Sequence, residues 1–119
     1  MDIEVFRDYC LAKKGVTEEL PFGPDTLVFK VMGKVFALTG LERFPPQVNL
    51  KCAPERALAL RERYDGAILA GYHMNKAHWN TITLNEVPPK LVTELIDHSY
   101  DLVVAKLAKK LRADLDALD

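Results

Sequence analysis

A group of side chains in the middle of the chain has the types that grip phosphates and bases: Lys30, Asn49, Lys51, His73, Lys76, His78, Trp79 and Asn80. Lysine ammonium groups supply point charge, asparagine and histidine supply directional hydrogen bonds, and a half-exposed indole stacks on a base or sugar. Lys30, Asn49 and Lys51 fall on alternating, strand-like segments, and the others crowd one polar loop and the strand that follows it. Short strands with outward polar rows beside a donor-rich loop make a surface that holds a polyanion, and a two-stranded wing enters a groove as β-ribbon readers do. The bland reading of the same residues is structural. Trp79 then belongs to the core, Asn75 and Asn80 tie down loop backbone, and the lysines solvate a sheet edge.

Other chemistries find less support in the spacing. His73 and His78 lie five apart with Cys52 upstream, but no CxxC, HExxH or third ligand accompanies them, so no metal is expected. Cys52 with either histidine, or Thr81 or Ser99 in the same role, lacks the signature of a catalytic nucleophile; a thiol directly after a strand is expected to be packed and inert. The glycines are scattered singly, without GxGxxG or a P-loop, which argues against nucleotide hydrolysis and leaves a non-enzyme with no cofactor. His98, between Asp97 and Asp101 on a helical pattern, reads as a half-buried residue paired with a carboxylate or a backbone group.

Charge sharpens the case for an anionic partner. The net charge of −1 excludes an arginine-rich nucleic-acid glue, yet it is unevenly spread. Residues 1–25 hold three basic and six acidic groups, residues 26–84 eight and four, and residues 85–119 five and seven. The basic middle is where a polyanion would sit. At 119 residues, 49% hydrophobic and 28% charged, the chain reads as a single domain over 1–119 that needs no disulfide between Cys10 and Cys52. The absence of a leader or a long apolar run predicts a cytoplasmic protein that does not meet a membrane.

The elements that must position these residues follow from periodicity. Asp2 caps a first helix with Ile3, Phe6 and Cys10 at helical spacing, closed by Lys13-Lys14-Gly15. Pro21-Phe22-Gly23-Pro24-Asp25 forms a shaped turn with Phe22 as an apolar plug. Alternation predicts strands at 26–31 and 35–39 joined by Met32-Gly33-Lys34, read as a type I turn with a G1 bulge, and a third strand over 47–51 with Gln47, Asn49 and Lys51 outward. Pro54 opens a short helix carrying Ala57, Leu58, Leu60 and Tyr64, and Ile68–Ala70 and Trp79–Leu84 are extended. Pro88 or Pro89 starts a long C-terminal helix whose stripe thins to Leu111, Leu115 and Leu118, so residues 106–119 are expected to extend beyond the core. The expected state is a monomer, with dimerisation through that leucine line as the other possibility. The fold class is α+β, an antiparallel sheet packed against helices.

Pro21 to Thr39 (PFGPDTLVFKVMGKVFALT), Val48 to Cys52 (VNLKC) and Gly71 to Thr81 (GYHMNKAHWNT), followed by Leu95 to Val104 (LIDHSYDLVV), resemble in order and spacing the MmcQ/YjbR family, over about residues 3 to 105. The resemblance implies a CyaY-like fold with a double-wing motif and DNA as the partner, and it carries over no catalytic residues. Frataxin-type iron binders of similar fold use an acidic row on the first helix, where this chain has only Asp2, Glu4 and Asp8. The expectation is therefore a DNA-binding protein using a basic sheet surface and wing loops. The alternative is a small-molecule or protein-interaction module holding a ligand near Phe22, Tyr72, His73 and Trp79.

Overall fold

A computed structural model describes residues 1–71 and 74–118; Tyr72, His73 and Asp119 lie outside the described residues. The element order is α1 (Ile3–Leu11), β1 (Val16–Glu19), β2 (Thr26–Val31), β3 (Lys34–Gly40), β4 (Gln47–Lys51), α2 (Pro54–Arg63), β5 (Ile68–Ala70), β6 (Trp79–Thr83), a 3-10 turn, α3 (Pro89–Ala105) and α4 (Lys109–Asp116). The strands form one antiparallel sheet in the order β1-β2-β3-β4-β6-β5. The protein is an α+β sandwich, as expected.

The helices cover one face. α1 packs on β1, α3 on β2, β3 and β4, and α2 on β5. In the core between the layers Val48 and Leu50 of β4 stand beside Ile82 of β6, with Phe29, Phe36 and Ile96 completing the centre. The ring of Phe6 meets that of Phe29 edge-on at 5.9 Å. Burial of such side chains supplies about 1.5–3 kcal/mol each, the main drive for joining the layers. Among the described residues no helix packs on the opposite face, which displays Gln47, Asn49 and Lys51 of β4, as the alternation predicts.

Several local features follow their sequence signals. Asp2 accepts the Val5 N–H at 2.9 Å as N-cap, and Pro54 and Pro89 occupy first helical turns, where a missing N–H costs nothing. Others correct the sequence reading. Met32 (φ 49°) and Gly33 (φ 84°) form a two-residue loop with both residues left-handed, the type I′ pattern, in place of the expected type I turn with a bulge. The twist of the flanking strands favours I′, and Met32 accepts its strained conformation while packing against the core and donating its N–H to the Gly15 carbonyl. The bulge lies inside the hairpin instead: Phe29 pairs with Ala37 and Lys30 with Val35, so Phe36 is the extra residue and both Phe36 and Ala37 are buried. Leu58 is exposed rather than part of the α2 stripe, and Phe22, expected as a plug, stands 75% exposed at its loop tip.

Residues 106–118 do not prolong α3. The helix ends at Ala105, and α4 starts after Ala108 and folds back so that Leu115 is 3% exposed against Gly15. A Cβ on Gly15 would come within 2.6 Å of the Leu115 side chain, and Gly15 has φ +75°. The glycine expected to end α1 is therefore also the seat of α4. No helix among the described residues is long and apolar enough to cross a membrane.

Candidate nucleic-acid interface

The register brings three chain segments to one end of the sheet. The Met32-Gly33 turn, the end of β4 at Lys51 and the loop between β5 and β6 all lie there, because β2–β3 and β5–β6 are hairpins opening the same way and Lys51 pairs with Trp79. Lys106, the C-cap of α3, arrives from the helical layer. Lys34, Lys51 and Lys106 surround a hollow of about 270 Å³ floored by Val35 and Val103. Among the described residues none of the three ammonium groups has an ion-pair partner. Like charges held together without acids raise the local potential well above what a net charge of −1 suggests.

Ser99 fixes this end of the sheet. Its buried hydroxyl accepts the Lys51 N–H at 2.9 Å and donates to the Phe36 carbonyl at the β3 bulge. Immediately before it, His98 Nε2 accepts the Ala53 N–H at 3.1 Å, so the backbone partner, not a carboxylate, is the one it takes. Burial, then the charge of Arg56, hold the His98 pKa below its ordinary value, against a smaller upward pull from Asp101.

The loop leading into β6 is held from α2. Arg61 donates to Asn80 Oδ1 at 2.7 Å and to the carbonyls of Lys76 and Trp79, Asn75 accepts the Ala77 N–H through its side chain, and the Cys52 N–H donates to the His78 carbonyl at 2.7 Å. At the loop's base Gly71 approaches Trp79 so closely that a Cβ would lie 2.7 Å from the Trp79 Cβ. The described part of the loop thus presents Lys76 exposed and His78 half-buried beside the end of β4.

The candidate residues divide accordingly. Lys51, Lys76, His78 and half-buried Trp79 come together at the basic end, and Asn49 lies two residues from Lys51 on the open face. His73 falls outside the described residues. Lys30 is on the open face but paired with Glu19 at 3.3 Å, a neighbour supplied by β1, which the sequence reading lacks. Asn80 is not part of an outward row. It pairs with Leu50 on the helix-covered face, is 1% exposed, and spends its amide on Arg61 and the Ala57 carbonyl. Lys34 and Lys106 join the site without having been singled out; a lysine in a hairpin turn and one ending a helix carry no mark of sharing a hollow. Phe22 and Trp79 lie at opposite ends of the sheet, since the β1–β2 loop adjoins the end of β3 and Trp79 starts β6, so one pocket does not contain both. The Cys10 thiol, in the core, is pushed up to about 12 by burial, and burial also raises that of Cys52. Both are packed thiols.

Fold and site together define a small α+β sandwich with an open sheet face and a basic rim. The chain belongs to the YjbR family, whose model matches residues 11–102. It is similar to the uncharacterised protein YbdF of Escherichia coli O157:H7, 43% identical over 91 residues that make up 76% of this chain and 74% of that one. It is also 32% identical to the uncharacterised protein YjbR of Escherichia coli strain K12, over 94% of this chain and 95% of the relative. Among solved structures, the Deinococcus radiodurans protein DR2400 superposes with a TM-score of 0.90 at 38% identity, covering 96% of this chain and 87% of its own. A Pseudomonas syringae protein does so at 0.74 and 31%, covering 86% and 98%.

Proposed function

We propose that the protein binds nucleic acid at the basic end of its sheet, as a monomer in the cytoplasm and without a reaction step. The observation that supports this most is the convergence of Lys34, Lys51 and Lys106, from three different elements, on one hollow, with no acid paired to them among the described residues. The β2–β3 hairpin with Lys34 and the β5–β6 hairpin with Lys76 and His78 act as two wings on either side of Lys51. Phosphates rest on the lysines, which position the partner, and the side chains of the open face meet what lies between the phosphates.

The test is a salt titration of binding to a labelled 16-base-pair duplex, read by fluorescence anisotropy. Affinity falls steeply with salt, and Lys34→Ala, Lys51→Ala and Lys106→Ala each flatten the logarithmic slope by about one unit. Absence of binding at low salt to both the duplex and its separated strands, or an unchanged slope in all three variants, refutes the reading.

A further inference from the structure

The open face holds a second recess, of about 150 Å³, lined by Gly40, Arg43, Gln47, Asn49 and Thr81. Its hydrogen-bonding groups are already sorted. Thr81 donates to Asn49 Oδ1 at 2.6 Å, which turns the Asn49 amide NH₂ into the group with donors to spare. The Gln47 amide donates to Thr83 Oγ1 at 3.3 Å, which leaves the Gln47 oxygen as an acceptor. Arg43 adds an exposed guanidinium with no partner among the described residues. Next to Arg43, Phe44 is 90% exposed, the most exposed of the large hydrophobic side chains among the described residues. Lys51 follows Asn49 by two residues on the same strand, a separation of about 7 Å.

Resting on the nucleic-acid reading above, we infer that this recess takes an unpaired base, so that the partner is a single strand rather than a duplex. A donor, an acceptor and a guanidinium match the edge of a nucleobase, and that edge is open only when the base is not in a pair. Phe44 stacks on the base or its neighbour, a contact every base can make. The phosphate attached to it reaches Lys51 and the lysine hollow beyond, so the strand runs along β4 from the recess to the basic end.

The probes are a fluorescein-labelled 12-nucleotide single strand of mixed sequence and the duplex of the same sequence, both titrated at low salt. The wild type binds the single strand about tenfold or more tightly than the duplex. Phe44→Ala, which removes an exposed ring and leaves the core untouched, weakens single-strand binding about tenfold and leaves duplex binding unchanged. Gln47→Ala acts in the same direction, while Lys106→Ala weakens both probes. Equal affinity for the two probes overturns the inference. So does a Phe44→Ala, Gln47→Ala pair that keeps wild-type single-strand affinity while Lys106→Ala loses it; in that case the lysine surface stands and the recess does not. No binding to either probe overturns both.

Discussion

The Ser99 hydroxyl makes two hydrogen bonds at once, one to the backbone of Lys51 in β4 and one to that of Phe36 at the β3 bulge. Removing it takes the partner from a part-buried donor and a buried acceptor together. Ser99→Ala is expected to cost about 1–3 kcal/mol in urea denaturation and to weaken nucleic-acid binding as Lys51 loses its fixed backbone. Ser99→Thr, which keeps the hydroxyl, tests whether the bond or the volume matters. His98 sets a pH dependence. Its Nε2 accepts a hydrogen bond only in the neutral form, and its pKa is lowered by burial first and by Arg56 second. The unfolded chain therefore binds that proton more readily, so the stability contributed is complete above the ordinary histidine value of 6.5 and is lost as pH falls below it toward the folded value. The urea midpoint should decline from pH 7 to pH 5, and His98→Gln should flatten that decline; an identical profile in the variant would assign it to other groups. At this scale the sequence shows which residues have useful chemistry but not who neutralises them. Lys30 and Asn80 look alike in a pattern of alternation, and only the arrival of Glu19 and Arg61 from other elements removes them from the site.

Among the elements, those with clean periodicity were legible and those stabilised mainly by their neighbours were not. β2, β3, β4, α2 and α3 follow from alternation or helical stripes bounded by proline and glycine. β1 (Val-Thr-Glu-Glu) offers a single apolar residue, Val16, and no element is expected there from periodicity, yet it pairs with β2 as an edge strand, with Glu18 meeting Arg7 of α1 and Glu19 meeting Lys30 of β2. Charged edge strands of this kind also discourage pairing with another sheet. α4 has one leucine line too narrow to announce a core contact, and its docking depends on the bare Cα of Gly15. Gly15→Ala is therefore expected to destabilise by about 1 kcal/mol or more, from the left-handed backbone and the overlap with Leu115. Hydrogen exchange should show the loss as faster exchange in α4 before the sheet opens; uniform protection in the variant would mean that α4 does not depend on that contact.

Across the whole molecule, formal charge is sorted by location rather than by amount. Three lysines without an ion-pair partner among the described residues, Lys34, Lys51 and Lys106, gather at one end, where they repel one another, an arrangement that folding alone does not select. Replacing Lys34, Lys51 and Lys106 together by glutamine is expected to leave the fold's stability within about 0.5 kcal/mol of wild type, or to raise it, while binding to nucleic acid disappears. A clear drop in melting temperature would instead make the lysines part of the scaffold. The fold class was readable because the sheet and helices bury complementary faces. The basic rim was readable only in part, because Lys34 and Lys106 are 72 residues apart in sequence and meet through the topology.

The cross-strand pairing of Lys51 with Trp79 has a practical side. This indole is the chain's sole tryptophan, and it sits half-buried directly across the strand pair from Lys51, one of the lysines around the hollow. Ultraviolet emission from the unlabelled protein accordingly reports on that one spot. Quenching or a wavelength change on adding a strand would register occupancy directly, with no dye to perturb the encounter.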